Sequence, residues 1–301
     1  MGILNEKRVD QIVNTILADY EDSRTINKTD LCNQPDKEAI IDIIEKLLKI
    51  LYPGYFDDKV YRFYSLKNNL SAAIEDIIYH LHKQIKTVLR YNSEMYNLSD
   101  EELENMAENI TYDFMEKIPQ IRAYLETDVQ AAFDGDPAAV SKDEVILSYP
   151  GVYAISVYRI AHELFTLGVP MIPRIMTEHA HSITGIDIHP GATIGKYFFI
   201  DHGTGIVIGE TTVIGEHVKM YQGVTLGGLS TSGGQKLKGV KRHPTIGDNV
   251  TLYSGSSILG GETVIEENVV VGGNTFVTKS IASDTRVSMK EQELQFKNRK
   301  L

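Results

Sequence analysis

The chain has 301 residues, 42% hydrophobic and 24% charged, which is ordinary globular usage and enough length for two domains. Thirty Lys and Arg against forty-one Asp and Glu leave a net charge of −11, which repels phosphate backbones, so no nucleic-acid partner is expected. The opening MGILNEKRVD lacks the apolar core of a signal peptide, and no window reaches the ~18 apolar residues that cross a bilayer, so no membrane role is expected either. Cys32, the single cysteine, has no partner for an intrachain disulfide, and no Cys/His spacing marks a zinc site; the expected compartment is the reducing cytoplasm.

From Met1 to about Phe165 the apolar residues recur at helical spacing and glycine is scarce. Ile40, Ile41, Ile43, Ile44, Leu47, Leu48 and Leu51 form one stripe, ended by Pro53. Similar stripes span Leu70 to Leu89 and Leu103 to Ile118. A further one, Val152 to Leu167, stops at Gly168 with Pro170 beyond it. This half reads as an α-helical bundle over 1–180.

After about Ile183 an aliphatic residue falls at every sixth position. The runs are Ile188, Ile194, Ile200, Ile206; then Ile208, Ile214, Met220, Leu226; then Ile246, Leu252, Ile258, Val264, Val270, Phe276. Thirteen of these fourteen are aliphatic, and Phe276 is the exception. One inward aliphatic per six residues suits a short strand and a tight turn, three of which make a coil of about 18 residues. Antiparallel hairpins would instead show period-two alternation and Asn-Gly turns. The expected architecture is therefore α+β: an N-terminal α-helical domain over 1–180, a left-handed parallel β-helix of hexapeptide repeats over 181–280, and a tail over 281–301. Flat prism faces commonly pack symmetrically, so a homotrimer or a dimer of trimers is expected. The period breaks over 227–243, a stretch rich in Gly and Ser that reads as a projecting loop ending in Arg242-His243-Pro244.

Chemistry has to be found on this scaffold residue by residue. His202 follows Asp201 in IDHGTG, and Asp187 lies 15 residues earlier, near the same corner of the coil. A carboxylate that fixes the imidazole tautomer leaves the other ring nitrogen as a general base; turn chemistry explains DIHP and DHGTG equally well. His217 reads as structural and His179-Ala-His181 as a helix end. GTGIVIG and GGQKLKG lack the spacing of dinucleotide and phosphate loops.

Asp136-Pro137, Tyr158-Arg159-Ile160, Asp187-Ile188-His189-Pro190, Asp201-His202-Gly203-Thr204-Gly205, Gly209-Glu210-Thr211, Val224-Thr225-Leu226-Gly227-Gly228 and Arg242-His243-Pro244 together resemble the serine O-acetyltransferases, from about Leu125 to Phe276. The resemblance implies acetyl-CoA and L-serine as substrates, no metal, and O-acetylserine for cysteine synthesis as product. It implies His202 as base with Asp187 as partner. Asp136 and Asp201 would hold the substrate ammonium, and Arg242 and His243 its carboxylate, completing a site whose base comes from another chain. Coenzyme A would run along the coil edges near Gly228, Ser254 and Gly272, with Lys236, Lys238 and Lys241 as candidates for its phosphates. Inhibition by cysteine and docking into cysteine synthase are further implications. Docking relatives end in isoleucine, whereas this chain ends in Leu301. The expected Gly-x-Pro-Ala turn after Phe276 is missing, and the loop before Arg242 is longer than usual.

Rival readings differ in acceptor or in class. Another acyltransferase would use homoserine or a sugar hydroxyl. A zinc carbonic anhydrase needs His-x4-His, but Val207 and Gln222 stand five residues after His202 and His217. A noncatalytic scaffold would be indifferent to His202.

Overall fold

In the computed structural model, residues 5–22, 24–27, 34–56, 66–91, 98–230 and 232–290 are described; Cys32 and the 291–301 segment with Leu301 lie outside them. Helix α1 (Glu6–Tyr20) starts on the Asn5 side chain and belongs to a compact unit of its own, Met1–Pro35. The remainder, Asp36–Leu301, forms the second unit.

Caps and apolar spacing set the helices of the second unit. Asp36 accepts from the backbone N–H groups of Glu38 and Ala39 to start α2 (Lys37–Leu51), whose buried face is Ile40, Ile43, Ile44, Leu47, Leu48 and Leu51. Helix α3 (Leu66–Leu89) follows the second expected stripe. Ser99 and Glu102 form a reciprocal capping box at the start of α4 (Asp100–Glu116). The third stripe breaks at Lys117, because Pro119 suits a first turn and cannot extend α4; α5 (Ile118–Gly135) begins there. Next come α6 (Lys142–Ser148), α7 (Pro150–Thr166) and α8 (Ile172–Thr184), which stops on Gly185 at φ 72°.

Fourteen short strands follow: β1 (Asp187–Ile188), β2 (Thr193–Ile194), β3 (Phe199–Asp201), β4 (Val207–Ile208), β5 (Val213–Ile214), β6 (Lys219–Tyr221), β7 (Thr225–Gly227), β8 (Thr245–Ile246), β9 (Thr251–Leu252), β10 (Ser257–Leu259), β11 (Val264–Ile265), β12 (Val270–Val271), β13 (Phe276–Val277) and β14 (Arg286–Val287). They form three parallel sheets in the orders β1-β4-β7-β10-β13, β2-β5-β8-β11 and β3-β6-β9-β12-β14. Each strand therefore pairs with the third one on, which makes a three-sided coil. The inward rungs are Ile188, Ile208, Leu226, Ile258 and Val277; Ile194, Ile214, Ile246 and Ile265; and Ile200, Met220, Leu252 and Val271, all buried. Each such side chain removed from water stabilises the stack by about 1.5–3 kcal/mol.

Two departures from a strict period matter. Ile200 and Ile208 are eight residues apart, because the corner between β3 and β4 is widened and carries His202, Gly203 and Gly205 at positive φ. Farther on, Ile258 is followed by Ile265 at a spacing of seven; the added residue sits in a turn where Gly260 takes φ 105°. Consequently Val264, Val270 and Phe276, expected inward, face outward, and Ile265, Val271 and Val277 take their places. The 227–243 loop emerges between β7 and β8 and holds a short 3₁₀ turn at Gly234–Leu237.

Arg159 of α7 ties the helices to the coils. Its Nε and Nη2 donate to Asp128 of α5 at 3.0 and 3.1 Å, while Nη1 and Nη2 donate to the carbonyls of Ile194 and Gly195 at 2.6 Å each. Asp128 also accepts from Phe198 N–H at 3.0 Å, and the neighbouring Tyr158 hydroxyl donates to Ala192 O. Removing one partner strands a buried charge, which typically costs about 3–5 kcal/mol. Urea unfolding should register a loss of that order for Asp128→Ala, and a smaller one for Asp128→Leu combined with Arg159→Met.

Candidate active site

The widened corner gathers one group of polar side chains. His202 projects into solvent with its side chain 71% exposed, and its Nδ1 is 3.7 Å from Asp201 Oδ1. Asp136 reaches this corner because α5 ends directly on β3: a Cβ at Gly135 would lie 2.6 Å from the Phe199 ring. The Tyr149 hydroxyl donates to Asp136 Oδ2 at 2.5 Å, and Ala138 N–H donates to Oδ1 at 2.8 Å. These bonds, with the nearby charges of Lys219 and His202, hold the Asp136 carboxyl below its ordinary range. The same bond to Asp136, with burial, pushes Tyr149 up to about 12, so its hydroxyl stays protonated. Lys219 Nζ donates to Gly135 O.

Asp187 opens β1 beside this corner, but it makes no hydrogen bond or ion pair with His202; its Oδ1 is 3.6 Å from Arg174 Nη1. Arg174 also pairs with Glu178. Glu178, His181 and Asp187 each bring one ligand atom within 4.8 Å of the others, the arrangement among the described residues with the donors for a metal. The guanidinium of Arg174 already supplies positive charge to both carboxylates there. His217 stacks on Tyr197 at 4.2 Å between centroids, as a structural residue would.

A second group lies at the other end of the same sheet face, where the loop returns. Arg242 pairs with Glu210, and its Nη1 donates to Leu237 O at 3.2 Å. Thr211 Oγ1 accepts from the N–H groups of Arg242 and His243 at 2.9 and 3.0 Å. Thr211 N–H in turn donates to His243 Nδ1 at 3.0 Å, which leaves Nε2 to carry the proton of the neutral ring. Gly209 makes room for that imidazole, since a Cβ there would sit 2.2 Å from Cδ2 and Nε2. Burial first, then the adjacent Arg242, lowers His243 to about 4, and burial followed by Arg174 lowers His189. Lys241 is occupied in bonds to the carbonyls of Thr211 and Pro244, whereas Lys236 and Lys238 are exposed. Gly228 lies against the Arg242 carbonyl, while Ser254 and Gly272 sit on the corner line above His202.

One chain thus assembles Asp136, Asp201 and His202 at one corner and Arg242 and His243 at another, and no hydrogen bond or ion pair among the described residues joins the two groups. The supporting residues Tyr149, Lys219, Thr211, Glu210 and Arg174 carry no spacing signal of their own. Glu210 and Thr211 fall within a motif whose physical role becomes visible only once the loop is folded onto it.

The fold and its charged corners define the class: a left-handed β-helix of six-residue repeats fronted by a helical region. No family profile matches the sequence. A plasmid-encoded serine acetyltransferase of Synechococcus elongatus is 40% identical over 260 residues, 84% of this chain and 81% of that protein, and the chain belongs to the serine acetyltransferase family. Isoform 3 of the Entamoeba histolytica enzyme, solved with cysteine, superposes with a TM-score of 0.73 at 34% identity over 96% of this chain and 93% of that one. A serine acetyltransferase solved with CoA matches at 0.51 and 26% identity, over 82% and 96% of the respective chains.

Two outcomes follow from His243. Its folded value of about 4 lies below the ordinary 6.5, so the unfolded chain binds the extra proton and stability falls as pH drops from 6.5 towards 4; His243→Gln should flatten that part of a pH-dependent unfolding curve relative to the parent. In Gly209→Ala the ring is expelled, and an NMR titration of its C–H resonances should return it towards ordinary histidine behaviour.

Proposed function

We propose that the chain transfers the acetyl group of acetyl-CoA to the hydroxyl of L-serine, giving O-acetyl-L-serine and CoA. The observation that carries this reading is the pair of oppositely charged corners on a serine acetyltransferase chain: carboxylates of Asp136 and Asp201 for an ammonium, Arg242 and the Nε2–H of neutral His243 for a carboxylate. A sugar or a simple alcohol has neither charge, whereas an amino acid has both.

His202 is the base. Its free ring nitrogen removes the serine hydroxyl proton as the oxygen attacks the thioester carbonyl, and the imidazolium then protonates the departing thiolate. Asp187 is its proposed partner once Arg174 releases it for Glu178, to which Arg174 is already bound. The N–H of Gly228 donates no hydrogen bond among the described residues and is the proposed donor to the oxyanion. Attack is direct, so no acyl-enzyme forms, and the proposed steps call on no metal. Coenzyme A runs along the facing coil edges of two chains, by Ser254 and Gly272 of the chain that supplies His202 and by Gly228 of the next.

Because the two groups stand at opposite ends of one face, a complete site requires the base corner of one chain and the Arg242–His243 corner of the next. A homotrimer meets this need, and the helical segment over 1–180 is the place for two trimers to pair. Cysteine, which differs from serine by a thiol in place of the hydroxyl, would occupy the same corners as an inhibitor. A soluble cytoplasmic location suits the chemistry.

Thiol release from acetyl-CoA across L-serine, homoserine and sugars tests the reading: the rate should rise with L-serine above all, and equal rates with and without serine would overturn it. His202→Ala should lower kcat by about 10²–10⁴-fold, with the oligomer unchanged by light scattering. Arg242→Ala should act mainly on the KM for serine.

A further inference from the structure

The Gly135–Asp136 peptide carries one of the two carboxylates at the His202 corner, and both of its polar groups are bonded. Asp136 N–H donates to Ala132 O at 3.2 Å, and Gly135 O accepts from Lys219 Nζ at 2.5 Å. A peptide unit is planar, so holding its N–H and its C=O fixes where the Asp136 Cα stands. The Arg159 lock grips α5 at Asp128, seven residues or about two turns before Gly135, so the end of the helix needs an anchor of its own. Helix α5 has no basic residue in its last turn. The cation that satisfies its terminal carbonyl comes instead from β6.

Lys219 is itself held in place. Its ammonium lies over two rings, 4.9 Å from the Phe199 centroid and 5.1 Å from that of Tyr221, and each ring face attracts it. Phe199 is buried against the end of α5, in register with Lys219. Tyr221 pairs in register with Asp201, the second carboxylate of the corner, and is backed by Tyr253, whose ring is parallel to within 12° at 5.0 Å between centroids. Among the described residues Lys219 makes no ion pair, so the Gly135 carbonyl and the two rings define its position. One side chain therefore joins the end of the helix that carries Asp136 to the strand pair that carries Asp201.

We infer that Lys219 is a positioning residue for the acceptor: seated on Phe199 and Tyr221, it pins the Gly135 carbonyl and so sets the spacing of the Asp136 and Asp201 carboxylates that receive the substrate ammonium. This rests on the serine reading above and adds to it the group that holds its two acceptor carboxylates in register. Tyr149 and Ala138 orient the Asp136 side chain, whereas Lys219 fixes the backbone from which that side chain springs.

The test is steady-state thiol release by the full chain with L-serine varied, and with 3-hydroxypropionate, which keeps the hydroxyl and carboxylate but has no ammonium, as competitor. Lys219→Met, which keeps the length of the side chain and loses the donor, should raise the KM for serine by at least about tenfold, the low end of what a hydrogen bond to a charged group contributes. The kcat and the inhibition constant of 3-hydroxypropionate should stay within about twofold of the parent. Lys219→Arg, which keeps a cation, should bring the KM back towards the parent's. In an Asp136→Asn background Lys219→Met should add little further loss, since the two act as one unit. An unchanged KM for serine, equal weakening of serine and 3-hydroxypropionate, or additive losses in the Asp136→Asn background overturns the role of Lys219. So does a lower KM for serine in Lys219→Met, which would mean that the lysine only repels the substrate ammonium. A parent chain that releases no more thiol with serine than without it overturns the acceptor reading, and this one with it.

Discussion

The structure depends on one buried guanidinium. Arg159 satisfies a carboxylate on α5 and two carbonyls on the first coil, so a single side chain sets both how α5 lies on the prism and where its end falls. Burying such a charge is favourable only when its donors are matched, and here three nitrogens find four acceptor contacts. That requirement acts as an orientation device. Hydrophobic contact between α5 and β3 alone would tolerate sliding, whereas a planar fork bonded on two sides does not. Asp136 stands at the His202 corner because of this lock and because Gly135 allows contact with Phe199.

Electrostatics at the two corners is set by neighbours more than by the functional residues themselves. Tyr149 keeps Asp136 ionised by donating to it, and Thr211 determines which nitrogen of His243 bears a proton. Arg242 is restrained by Glu210 and by a carbonyl of its own loop, so its charge is presented in one place. These partners are short-range and inflexible, which suits a surface that must present charge without large rearrangement.

Much of this was legible in the sequence. The six-residue period identified the coils because every third strand meets itself one layer up, and the helical stripes were readable because each buries one face. The column beyond Ile258 was misread, since a repeat count takes no account of an added residue in a turn, and Gly260 looks like any other corner glycine. Residues at the corners could be named by their motifs, yet spacing along the chain does not distinguish the two ends of one face. Only the folded coil separates Asp201 and His202 from Arg242 and His243. The Arg159–Asp128 pair was illegible for a related reason: its partners are 31 residues apart on different helices, and neither residue type advertises burial.

The fixed tautomer of His243 has a stereochemical consequence. Because Nδ1 is taken by Thr211, His243 offers its remaining ring nitrogen beside Arg242 as a donor, while Asp136 and Asp201 offer acceptors at the other corner. Were the two corners to meet across chains, as proposed, a zwitterion would enter in one direction alone, with the reacting oxygen at His202 as a third fixed point. Three points of attachment distinguish a chiral centre from its mirror image, so handedness of the substrate would be selected by where protons reside and not by the shape of a pocket.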